Sequence, residues 1–206
     1  MPGRNIVSLC RLIFLVLLAA ALLSACGKGP FSPEAMRQSQ ERDSYLKLLK
    51  DHLIADDTFE WDTLSSALIV RILPYKGDVR RSAENRFFEA PPFKTETASW
   101  DKRRKNGSAA PVIILLGFYN QSLKEKDITK DQRFRPRLQL PDGRVLTPFA
   151  IKRFGRDKAF IRDYFPVFNP WEEVYLVKFD PPARLNGTVN FLLEWPGGTQ
   201  SLPFEM

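Results

Sequence analysis

The chain has 206 residues, 44% of them hydrophobic and 12% aromatic, enough for one well-buried domain with an added helical segment and too little for two independent domains. The formal charge of +7 suits proximity to anionic lipid headgroups or cell-wall polymers without requiring an anionic ligand. A single histidine with no free-cysteine companion excludes a zinc site, and the sequence implies no cofactor.

At the N-terminus, Arg4 and Arg11 flank a short positive region, and Leu12 to Leu23 carry no charge. This is the pattern of an export signal. A membrane-spanning helix needs about 20 apolar residues, so a permanent span fits less well. The run ends in Leu23-Ser24-Ala25-Cys26: an aliphatic residue, two small ones and a cysteine. This tetrapeptide resembles the lipobox of bacterial lipoproteins, which implies cleavage before Cys26 and acylation of its thiol. Leu9 is too large for Cys10 to take that role, and no apolar run precedes it.

The expected organisation is thus a signal peptide over 1–25, a Gly/Pro-rich flexible tether over 26–32, a helical segment with a connecting loop over 33–110, and a β-sandwich over 111–206. With Cys10 discarded and Cys26 acylated, no disulfide forms even in an oxidising compartment. In lipoproteins an aspartate after the cysteine commonly signals inner-membrane retention. Here Gly27 follows, which implies an outer-membrane lipoprotein facing the periplasm.

In the mature chain, Ser32-Pro33-Glu34 is a helix start, and Tyr45, Leu46, Leu49 and Leu53 recur at helical spacing, predicting a helix over 33–55. Residues 67–73 form a buried element that periodicity alone does not assign to helix or strand, stopped by Pro74. A charged helix is expected over 78–88 and a loop over 90–110. Val112 to Tyr119 is short and rich in β-formers, the mark of a central strand covered on both faces.

Hairpin signals follow. Phe134, Leu138 and Leu140 alternate with polar residues, and Asp142-Gly143 turns the chain into a strand from Val145 to Ile151. Tyr175, Val177 and Phe179 alternate, Asn186-Gly187 turns, Val189 to Trp195 alternates again, and a last strand is expected near 199–204. The fold class is therefore α+β: N-terminal helices followed by an antiparallel Ig-like β-sandwich. Leu140-Pro141-Asp142-Gly143-Arg144, Tyr164-Phe165-Pro166-Val167-Phe168-Asn169-Pro170-Trp171 and Tyr175-Leu176-Val177-Lys178-Phe179 resemble the C-terminal half of uncharacterised bacterial lipoproteins of the cell envelope. That resemblance brings no activity or catalytic residue with it.

No catalytic site is predicted. A lone helical His52, no Gly-x-Ser-x-Gly elbow and no phosphate-binding glycine loop argue against a hydrolase of the serine or metal type. Paired carboxylates are the enzymatic alternative, either Asp56, Asp57, Glu60 and Asp62 or Glu172 and Glu173, since a glycosidase needs two such groups about 5–10 Å apart. The first cluster lacks the mid-loop glycine of a calcium loop, and no metal is expected.

Two surfaces are candidates for binding. In Arg133-Phe134-Arg135-Pro136-Arg137, strand geometry would set three guanidiniums on one face about 6.5–7 Å apart, a ridge for phosphates or carboxylates. The same pattern is expected of a charged edge strand, which Pro136 favours. The segment 153–171 interleaves Arg153, Arg156, Lys158 and Arg162 with Phe160, Tyr164, Phe165, Phe168 and Trp171. Such residues dock proteins if exposed and plug the end of a sandwich if buried. Nucleic acid is excluded by export, and no small-molecule substrate is identified. The expected function is that of a non-enzymatic binding or scaffolding component, held to the membrane by lipid at Cys26, with an envelope protein as partner.

Overall fold

The computed structural model describes residues 33–60, 65–87, 93, 110–120, 127–154, 158–181 and 185–206, with backbone alone for 33–39, 56–60, 65–67 and 158–160. The chain divides into two compact units, residues 1–45 and 46–206. The described part of the first unit is helical. Helix α1, Pro33–His52, runs across the boundary, with Tyr45 and Leu49 buried one turn apart while Lys47, Lys50 and Asp51 are exposed, as the helical spacing predicts.

In the second unit the elements follow in the order β1 (Ile54–Glu60), β2 (Ser65–Pro74), α2 (Gly77–Arg86), β3 (Val112–Asn120), β4 (Arg135–Gln139), β5 (Val145–Leu146), β6 (Ala150–Arg153), α3 (Lys158–Tyr164), β7 (Glu173–Phe179), β8 (Thr188–Trp195) and β9 (Gly198–Glu205). All pairings among them are antiparallel and form two sheets, β1-β2-β3-β7-β6 and β5-β4-β8-β9. Strand residues alternate in direction, and one alternate set from each sheet meets in a shared core. Val70, Ile114, Leu116 and Val177 come from the five-stranded sheet, and Leu138, Phe191, Leu193 and Leu202 from the four-stranded one. The two sheets therefore pack face to face.

The other face of the five-stranded sheet is also covered. Leu73, Ile113, Leu115 and Leu176 point away from the shared core and are buried, as are Val79 and Ala83 of α2. Rings gather there: Tyr75 meets Phe93 edge-on at 5.1 Å and Phe165 at 5.9 Å, and Phe93 stacks on Phe165 at 6.0 Å. This explains the unbroken apolar run of β3, which is buried from Val112 to Phe118.

Several boundaries differ from the sequence expectation. The helical segment drawn over 33–110 contains β1 and β2, so the sheets begin at Ile54 and not at residue 111. Strand β2 resolves the ambiguity over 67–73, because its in-and-out burial serves two apolar layers. The expected strand from Val145 to Ile151 is two strands in different sheets: β5 pairs with β4, and β6 pairs with β7. Pro148, lacking an amide proton, sits in the crossing between them. The predicted turns hold, with Gly143 at φ 84° and Gly187 at φ 94°, a region open to glycine without strain.

Candidate functional site

Arg153 ends β6 and Glu173 begins β7, neighbouring strands of the five-stranded sheet. After Arg153 leaves β6, helix α3 brings Ile161 and Tyr164 into the interior, and the Phe165 amide donates to the Ile161 carbonyl at 2.7 Å, closing the helix onto a fully buried Phe165 ring. Phe168 is buried as well. Of the expected docking residues, Tyr164, Phe165 and Phe168 are therefore core. The Phe160 side chain lies outside the described residues. Trp171 is 55% exposed.

A small depression open to solvent is lined by Phe154, Ile161, Arg162, Phe168, Asn169, Pro170, Glu172 and Val174. Its polar floor is Glu172, 1% exposed. One carboxylate oxygen accepts the Asn169 amide at 3.1 Å; the other accepts the Asn169 side-chain amide at 3.1 Å and faces Arg71 Nε at 3.2 Å. That approach makes an ion pair, but the buried Nε proton is not aimed at the oxygen as a hydrogen bond requires.

Opposite Arg71 in the register stands Gly117 on β3. A Cβ there would lie 2.6 Å from Phe168 Cδ1 and 2.8 Å from Glu172 Oε2, so the absence of a side chain is what lets both groups seat on the strand. Gly117→Ala is expected to destabilise the fold by about 1–3 kcal/mol through overpacking, despite the better strand propensity of alanine. A urea midpoint equal to or above that of the wild type would refute this.

Glu173, one residue on, points the other way. Its carboxylate accepts Arg153 Nε at 3.2 Å and pairs with Nη2 at 3.0 Å. Arg153 Nη1 donates to Asp127 at 3.2 Å, so one guanidinium serves two carboxylates, each 7% exposed. Asp127 also accepts the Thr129 amide at 3.0 Å and hydroxyl at 2.7 Å, and the Tyr175 hydroxyl accepts the Ile128 amide at 3.2 Å. Burial alone would raise the Asp127 carboxyl, but the Thr129 bonds and Arg153 outweigh it and hold Asp127 below the usual carboxylate range. Burial likewise opposes the Arg153 charge, and Glu173 overcomes it. Burial pushes the Tyr175 hydroxyl up to about 12.

Glu172 and Glu173 are therefore not brought together. Glu172 lies in the bend before β7 and Glu173 is the first residue of that strand, and each faces its own arginine. Asp56, Asp57 and Glu60 fall on β1 with side chains outside the described residues, and Asp62 and Cys26 lie outside them altogether. His52 is exposed at the end of α1.

The expected arginine ridge is also changed. Arg133 precedes β4, drawn into a turn by Asp131, whose carboxylate accepts its backbone amide at 3.1 Å and its guanidinium at 2.7 Å. Those bonds hold Asp131 below the usual carboxylate range. Arg137 pairs with Glu194 across the sheet at 3.1 Å, while Arg135 is exposed and donates to the Gln132 carbonyl. Arg135 and Arg137 share the outward face of β4, and Pro136 is buried where β5 no longer pairs.

Among the described residues, no group of three or more His, Cys, Asp or Glu could hold a metal ion, and no helix is long and apolar enough to cross a membrane. No protein-family model, curated protein or solved structure matches the chain. Sequence reasoning missed Arg71, Gly117 and Asp127. The signal available for Gly117 was a lone glycine inside an apolar strand, which marks close approach by another group; Arg71 and Asp127 gave none, because their partners are distant in sequence.

Proposed function

We propose that this chain is a lipid-anchored, non-catalytic protein of the bacterial envelope, held by acyl chains on Cys26 and acting there as a binding or scaffolding component. The observation that carries this is Leu23-Ser24-Ala25-Cys26 directly after the uncharged stretch from Leu12 to Leu23. Each buried methylene contributes about 0.8 kcal/mol, so two or three acyl chains anchor a domain durably without a transmembrane helix. Gly27 favours the outer membrane, with the domain in the periplasm. The face-to-face antiparallel sheets support an Ig-like arrangement, a scaffold used widely for recognition. The arginine-bound Glu172 and Glu173 favour a structural use of those acids over hydrolysis.

In a detergent phase-partition assay, the wild-type protein expressed in bacteria should enter the detergent phase, and Cys26→Ser should move it to the aqueous phase. Retention of the serine variant with detergent would overturn the anchor.

A further inference from the structure

The aromatic segment that the core absorbs leaves one exposed tip. Lys152, exposed on β6, holds its ammonium 5.6 Å from the centre of the Phe154 ring. Phe154 lines the same pocket as Arg162 and Pro170. The exposed Arg162 guanidinium donates to the Pro170 carbonyl at 3.3 Å, and the next residue is the exposed Trp171. Among the described residues, two cations and an indole thus stand along one margin of the helix-covered face, with Asp163, an exposed acid, next to Arg162.

We propose that this tip is a second, non-covalent membrane contact, in which Trp171 enters the headgroup layer of an anionic leaflet while Lys152 and Arg162 meet lipid phosphates. The inference rests on the lipid anchor proposed above. An indole has an apolar body and one polar N–H, the combination that favours the interface over either water or hydrocarbon. The cations supply complementarity to anionic headgroups, opposed among the described residues by Asp163. Attraction of that size would not hold a free protein. A tethered one is different, because the anchor keeps the tip at high effective concentration beside the surface and makes each encounter intramolecular. The contact would fix the orientation of the domain on its tether. A protein partner is the competing occupant, less favoured because the described aromatics behind Trp171 are committed to the core and leave a narrow apolar tip.

The test uses the full lipidated chain in vesicles of phosphatidylethanolamine and phosphatidylglycerol with brominated acyl chains. Subtracting the emission of Trp171→Phe from that of the wild type isolates Trp171. Bromine is expected to lower that difference signal about twofold relative to unbrominated vesicles, and Lys152→Glu with Arg162→Glu should abolish the effect, as should high salt. A difference signal insensitive to bromine yet quenched by aqueous iodide, on protein that floats with the vesicles, overturns the proposal, leaves the anchor intact and turns the tip over to a protein partner. Chain that does not float with vesicles at all counts against both.

Discussion

Glu172→Ala is expected to destabilise the protein by about 3 kcal/mol at neutral pH, although the substitution removes a charge from the interior. The carboxylate is 1% exposed and is the acceptor for both the backbone and side-chain amides of Asn169, besides facing Arg71 at 3.2 Å. Its loss strands a partly buried guanidinium, leaves the Asn169 amide without that acceptor, and opens space against Gly117, where no Cβ fills in. Arg71 is 21% exposed and can recover some hydration, which keeps the figure at the low end of the range for a broken buried pair. Glu172→Gln retains an oxygen and the shape and should lose less than half as much. Adding Arg71→Met to Glu172→Ala should restore part of the loss, because the stranded charge is then gone. Urea unfolding of the three variants measures all of this. A loss under about 1 kcal/mol for Glu172→Ala, or no recovery in the double variant, would show that the carboxylate is a bystander to the packing of Phe168.

What could be read from the sequence was what local periodicity encodes. The helix over Pro33–His52, the doubly covered strand β3, the turns at Gly143 and Gly187 and the alternating β8 follow from spacing and glycine placement alone. Strand β1 was hidden because Asp56-Asp57 gives a strand the composition of a turn, and α3 because its seven residues are too few to establish a helical period. The split between β5 and β6 depends on which sheet each strand joins, a long-range choice that neighbouring residues do not record. The candidate site was legible only as a composition. Basic and aromatic residues over 153–171 fit a docking surface or a plug at the end of the sandwich, and Phe165 and Phe168 are instead buried outside the core shared by the sheets, against Tyr75, Phe93 and Gly117, with Trp171 left outside. Adjacent glutamates at 172 and 173 suggested a solvated turn or a catalytic pair. Glu172 ends the bend before β7 and Glu173 begins the strand, and each meets a different arginine, one 101 positions upstream and one 20.

The Arg153 cluster makes the sharpest prediction, because between pH 7 and pH 5 the Asp127 contribution should change little in the wild type while the variant regains stability. In the wild type, Asp127 is held below its unfolded value, so it contributes stability that is present above about pH 4 and is lost as the pH falls through the folded value. Lowering the pH from 7 to 5 should therefore change that contribution little. Arg153→Met keeps the length of the stem and deletes the charge shared by Asp127 and Glu173. The two buried carboxylates then lose the guanidinium they share, and desolvation and mutual repulsion push their folded values up. A raised carboxylate weakens the fold where it must ionise and relaxes as it takes up a proton. The variant should accordingly be about 3 kcal/mol less stable than wild type at pH 7 and should regain part of that difference by pH 5. The Thr129 bonds to Asp127 survive the substitution and limit its share of the recovery. Urea midpoints of both proteins at the two pH values decide it: a deficit that stays constant or deepens toward pH 5 would mean that Arg153 stabilises by packing its stem against the end of the sheet and not by neutralising the two acids.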